Sequence, residues 1–377
     1  MFAMSAEVLF DGGRIADNRS MDAGGGVSTS DSNLTLNAVT VEGNAAERGG
    51  GIFAERVNAP AVTVTLEEVR VEANVVTGSG CVGGGLASDG VALSLLHSTF
   101  SGNDAGPDPL CEGGGLFLDA SASSLVEVMV LHNSSAGHGG GIALRDGSAV
   151  LERVLVAGNE AGLDGGGILA DGDLEAYNLR LVVNLAADQG GGLYAMDGEA
   201  WLENVDVLAN HAGGDGGGIY DWNYDLWIVD AVLGFNVSAT GGGGLYNDSG
   251  MPNLTHCDAW QNSPDHYAGM TDPTGIDGNQ ASDPAYLDAS ASDPLLWDTH
   301  LSMSSALVDA GEPQVSDPDG GPADIGAFGG PGAAEWDLDR DGYKSWWQPG
   351  PYDPVTYPAI GWDCDDSDPA VYPGAGC

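Results

Sequence analysis

The chain has 377 residues, of which 61 are glycine and only 7% aromatic, a composition too rich in glycine for most ordinary packed globules. Its 56 acidic residues against 10 basic ones give a net charge of −46, which repels nucleic-acid phosphates and anionic membranes and leaves divalent cations as natural partners. No apolar run approaches the roughly 18 residues of a spanning helix, so no membrane insertion of the given chain is expected, and five scattered cysteines without C-x-x-C spacing argue against a zinc site.

The N-terminal stretch from Met1 to Glu7 lacks a basic region followed by an apolar one, so it does not read as an export signal. Val8, Phe10, Ile15 and Asn18 already fit the repeat that follows, and the chain opens almost inside a coil. Solenoid ends are normally shielded by a polar capping unit. The expectation is therefore a natural start upstream of Met1, the alternative being a partner that covers the edge.

From there a Gly-Gly-Gly followed by Val, Ile or Leu recurs, its last glycine at 26, 51, 85, 115, 141, 167, 192, 218 and 244. The spacings are 25, 34, 30, 26, 26, 25, 26 and 26, close to one turn of a three-sided coil. An asparagine keeps the same step: Asn18, Asn44, Asn74, Asn103, Asn133, Asn159, Asn184, Asn210, Asn236 and Asn262. Eight residues before it stand Leu36, Leu66, Leu95, Leu125, Leu151, Ala176, Leu202, Ile228 and Leu254. Three before it stand Val41, Val71, Phe100, Val130, Val156, Leu181, Val207 and Leu233. Both sets read as inward ladders, and the break in alternation between them marks a turn. A helix is excluded because no i, i+3, i+4, i+7 stripe exists and each glycine would cost a helix about 1 kcal/mol. Stacked asparagines are expected to bond from coil to coil, and the glycines to mark bends too tight for side chains.

This Asn-x-Ala…Gly-Gly-Gly-Ile/Leu pattern resembles the right-handed β-helix repeats of bacterial surface and secreted proteins, including the polymorphic outer-membrane type, over about residues 8 to 262. The fold expected is all-β, a right-handed parallel β-helix of the pectin-lyase-like kind with about ten coils, occupying 1–262. The resemblance implies an extracellular or cell-surface location. It fixes no activity, because this scaffold carries lyases, hydrolases and adhesins alike.

Within the coils, Cys81 and Cys111 each stand two residues before a glycine triplet, so they should be stacked neighbours. A strand spacing of about 4.8 Å falls inside the Cα range of a disulfide, which would staple the two longest repeats. Tyr194, Tyr220 and Tyr246 follow successive triplets 26 residues apart, and Trp201 and Trp227 are also 26 apart. Parity places all five on the outside, where they suit sugar rings or else stack on one another to stabilise the sheet. Arg70, Arg153 and Arg180 fall at outward positions without an acidic triad beside them. Cys257 lies on an inward ladder and is expected as a buried free thiol.

Residues 263–334 look like the irregular end segment and cap common after such repeats. From 335 to 377 the chain becomes a small, loop-rich acidic tail. Asp337, Asp339 and Asp341 alternate before Gly342, and the carbonyl of Tyr343 can add a ligand, a spacing that suits Ca²⁺. Gln348 stands where an EF-hand needs glutamate, so further ligands are assigned to Asp363, Asp365, Asp366 and Asp368. The pairing resembles the MopE-type metal-binding motif of bacterial surface proteins, but the chain ends at Gly376-Cys377 where that motif usually continues. Cys364 and Cys377 can pair. A merely solvated acidic tail is the alternative.

No Walker loop, G-x-S-x-G or dinucleotide fingerprint occurs, and no catalytic set declares itself. The reading is a non-enzymatic cell-surface or secreted protein, structural or adhesin-like, whose partners are calcium and a polysaccharide or cell-surface glycan. The alternative is a lyase or glycoside hydrolase acting on an acidic polysaccharide.

Overall fold

A computed structural model describes residues 2–4, 7–78, 81–223, 225–317 and 320–333. The chain winds into a parallel β-solenoid of about ten coils. One coil shows the plan. Ile219–Trp222 forms the first wall, Asp225–Val229 the second, Val232–Gly234 the third, and Val237–Ser238 a short closing strand. Each wall pairs in parallel with the same wall of the next coil, residue for residue: Trp201 with Trp227, and Val207 with Leu233.

That register stacks like on like. The ladder from Leu36 to Leu254 and the ladder from Val41 to Leu233 are both buried, as the apolar alternation requires. The walls meet at two sharp corners. One falls six residues before the asparagine, where Glu68, His97, Glu127, Arg153, Asn178, Asn204, Asp230 and His256 all have φ between 50° and 59°. The other falls one residue before it, and even Val183 and Phe235 take the left-handed conformation there. For such side chains that conformation costs on the order of 1–2 kcal/mol each. It persists because the stacked walls on either side determine it.

The asparagines stabilise this second corner. Asn184 Oδ1 accepts from the backbone N–H of Asn159 at 3.1 Å and from its Nδ2 at 3.0 Å. Asn184 Nδ2 in turn donates to Val156 O at 2.9 Å and to Asn210 Oδ1 at 3.0 Å. The same bonds repeat from Asn44 to Asn236, so a buried polar column is fully paired. The glycine triplet packs against this same corner. Gly216 has φ 67°, and a Cβ on Gly218 would lie 2.5 Å from Gly244 O and 3.0 Å from Asn236 Nδ2, so it would collide with the neighbouring backbone and crowd the asparagine column.

Cys81 and Cys111 are joined, with Cα atoms 4.6 Å apart, and their bridge packs against Val76 and Ala105. Cys257 is buried and free. Coil pairing continues past Asn262: Tyr267–Ala268 adds to Leu245–Tyr246, and Asn279 bonds to Cys257 N and Leu254 O.

Beyond residue 280 the chain doubles back as a strap along the outer face of the third wall. Early coils carry polar residues there, such as Thr40, Glu42, Arg70 and Glu72. Under the strap the same positions hold Leu155, Ala157, Val182, Leu208 and Val232, which pack with Leu307 and Ile325. The corner column supplies the polar clasps. Asn178 Nδ2 donates to Ala327 O and Gly329 O, Asn204 Nδ2 to Asp324 O, and Asp230 Oδ1 accepts from Glu312 N. Arg180, outward on its coil, is thereby buried. Its Nη2 donates to Thr299, its Nε faces Asp206 at 3.8 Å, and Phe328 lies across its guanidinium. No described helix is long and apolar enough to cross a membrane.

Candidate functional site

The three tyrosines and two tryptophans of the aromatic ladders separate into two environments. Tyr194, Tyr220 and Tyr246 stack with centroids 5.1 and 5.3 Å apart and rings within 5° of parallel. They continue an outer ladder of Phe53, Ala87, Phe117, Ala143 and Leu169 that is itself covered. Tyr220 is only 6% exposed, and burial together with Asp248 pushes its hydroxyl up to about 12. These rings mainly serve one another.

The tryptophans stand on the outer face of the second wall, nine residues before their asparagines. Trp201 is 37% exposed and Trp227 is its register partner. The indole N–H of Trp201 donates to Glu203 Oε2 at 2.8 Å, which fixes the ring against the wall. Two open clefts flank the pair. A cleft of about 440 Å³ lies among Asp173, Glu175, Tyr177 and Glu199, and one of about 370 Å³ among Glu203, Asn253, Thr255 and the strap residues Glu312, Gln314 and Val315. Tyr177 donates its hydroxyl to Glu175 at 3.3 Å, and its acidity is weakened by burial and by that carboxylate.

Sequence register contains part of this face. Glu175 and Tyr177 stand nine and seven residues before Asn184, as Trp201 and Glu203 do before Asn210. The strap's contribution carries no sequence signal, because it depends on where the chain returns.

Among the described residues neither cleft is lined by Arg or Lys, the usual base of a uronate lyase. The nearby arginines are engaged elsewhere: Arg153 with Glu127 at 3.0 Å, and Arg145 with Glu112 and Asp171. Among the described residues no group of three or more His, Cys, Asp or Glu side chains is placed to hold a metal ion. The calcium ligands assigned to Asp337, Asp339, Asp341, Tyr343, Asp363, Asp365, Asp366 and Asp368, and the Cys364–Cys377 pair, lie outside the described residues.

No protein-family model and no curated protein matches the sequence. Among solved structures the chain is similar to the crystal structure of Dettilon tailspike protein, at 12% identity and a TM-score of 0.35. The match covers 74% of this chain and 59% of that one, so this chain spans less than two thirds of its length.

Proposed function

We propose that this is a non-enzymatic, cell-surface or secreted β-solenoid protein that binds a glycan along the Trp201–Trp227 face, with a calcium-stabilised tail. The observation that supports this reading is the exposed Trp201 with half-buried Trp227, held in register between two clefts rich in hydrogen-bonding carboxylates. Sugar rings present an apolar face that stacks on indole and an equatorial rim of hydroxyls that carboxylates and amides accept or donate to. A 26-residue step places such platforms one strand spacing apart, about 4.8 Å, so both indoles can serve one ring or two adjoining ones. Titration of the full chain with a panel of oligosaccharides, followed by tryptophan fluorescence, tests the assignment. Binding should weaken at least tenfold in Trp201→Ala with Trp227→Ala. Glycan binding that survives both substitutions would remove this face from the account.

A further inference from the structure

We infer that Asp230 is a positioning residue for the tryptophan face: through Glu312 it holds the strap as the far wall of the second cleft, and thereby sets how tightly that cleft retains a sugar. The inference rests on the glycan-binding reading above. The coils build the near side of the cleft, with Trp201, Trp227 and Val229, and the strap builds the far side, with Glu312, Gln314 and Val315. That far wall exists only while the strap is docked. Leu307 and Ile325 anchor the strap by apolar packing on the third wall. Between them a loop closes at its base, Gly311 N donating to Ala323 O at 2.7 Å, and Val315 N donates to Glu312 O at 2.9 Å. Coil corners reach this loop at two places. Asp230, next to the lining residue Val229, accepts from Glu312 N at 2.7 Å, and His256 one coil on approaches the Glu312 carboxylate at 3.5 Å. The Asp230 carbonyl also accepts from Gly326 N at 2.8 Å, so one residue clasps both arms of the strap. Asn178 and Asn204 hold the same corner in the two preceding coils, but their amides bond to residues 324–329, past the cleft wall.

The clasp depends on a proton. Asp230 is buried, and its Oδ2 has no hydrogen-bond partner, an arrangement that disfavours a carboxylate. Burial acts first, and like charge adds to it: Glu203 stands on the preceding coil, Glu312 and Asp317 on the strap, and the Cys257 thiol on the next coil. The Glu312 N–H opposes these effects, and the acid is pushed up to about 7. A protonated Asp230 keeps Oδ1 as the acceptor for Glu312 N and loses the repulsion. Undocked, the carboxyl returns toward the ordinary value of about 3.9. The docked wall therefore holds a proton that the undocked one has released, and it is held best in acid and yields between about pH 4 and pH 7. An undocked wall lowers the apparent affinity of the cleft by the fraction of molecules that lack it.

The test is calorimetric titration of the full chain at pH 5 and pH 8 with two neutral ligands, the β-1,4-linked hexamers of glucose and of N-acetylglucosamine. An uncharged sugar removes bulk attraction by the −46 charge as a source of any pH effect. The native chain should bind roughly tenfold more tightly at pH 5 than at pH 8. Asp230→Asn, which keeps an acceptor and stays neutral, should bind at pH 8 about as tightly as the native chain does at pH 5. Asp230→Ala, which leaves Glu312 N without its acceptor, should bind roughly tenfold more weakly than the native chain at pH 5 and show little change with pH. Equal native affinity at the two pH values would overturn the inference and leave the glycan face standing. A pH dependence that persists undiminished in Asp230→Asn would assign it to other groups, such as His256 or the Asp258 that accepts from Ser282 N, and would equally overturn it. Absence of binding by both hexamers at both pH values would overturn the glycan reading and this role of Asp230 with it.

Discussion

Raising the pH should loosen the strap, and Asp230 is the residue through which it acts. Its side chain is fully buried, its Oδ1 accepts from Glu312 N at 2.7 Å, and its Oδ2 is buried without a hydrogen-bond partner. Burial, reinforced by Glu203, Glu312 and Asp317 and opposed by the Glu312 N–H, pushes this acid up to about 7. Once the strap is off, the carboxyl should return toward the ordinary value of about 3.9. Between those two values the docked state holds a proton that the undocked state has released. Docking is therefore strongest below about pH 4 and weakens as pH rises through 7, the reverse of an ion-paired aspartate. Three pH units correspond to about 4 kcal/mol as an upper bound. Asp258, which accepts from Ser282 N and is also pushed up to about 7 by burial, acts in the same direction. Hydrogen exchange of strap amides 311–327, corrected for intrinsic rates, reads the docking equilibrium. Exchange should accelerate from pH 5 to pH 8 in the native chain. In Asp230→Asn the acceleration should be smaller, because asparagine keeps the acceptor and stays neutral, as Asn178 and Asn204 do at the same corner. Parallel pH curves for the two proteins would refute the reasoning.

Three other outcomes are expected. Asn184→Ala should cost about 3 kcal/mol or more in urea unfolding, because it leaves the buried Asn159 N–H and Nδ2 donors and the Val156 carbonyl without their partner. Replacing Cys81 and Cys111 by serine should lower stability by about 3–4 kcal/mol, from the loop entropy of a 30-residue closure, and the native chain should lose the same amount on reduction. The tail should take up Ca²⁺ with measurable heat in the full chain, and Asp339→Ala should weaken that binding strongly; identical heats would favour a solvated tail.

Much of the solenoid is written in the sequence because its contacts are between equivalent positions. Once Asn159, Asn184 and Asn210 are aligned, the buried ladders at Val156, Leu181 and Val207 and the pairing of Trp201 with Trp227 follow from arithmetic. Contacts made out of register are a different matter. Arg180 reads as an outward residue by parity, and only the return of Thr299 and Phe328 across it makes it buried. A signal for that cover was present: the outward positions of the third wall change from Thr40 and Arg70 to Leu155, Val182 and Val232. Parity also places the tyrosines outside without showing that Tyr220 is buried there at 6% exposure. That burial accompanies the path of Gly216, where an added Cβ would lie 2.8 Å from the Tyr220 Cβ.

The case for recognition rests on what the fold does not require. Inward positions of the second wall must be apolar, and they hold Leu202 and Ile228 whatever the outer face carries. The outer position opposite them is satisfied by threonine or serine in the early coils, so stacking alone does not call for tryptophan. An indole left 37% exposed keeps a large apolar surface in water, which stabilises folding little and invites association. Against Tyr220, the middle ring of the Tyr194–Tyr220–Tyr246 stack and only 6% exposed, the contrast with Trp201 is physical. Tyr220 buries its ring between Tyr194 and Tyr246, whereas Trp201 holds its ring at the rim of two open clefts.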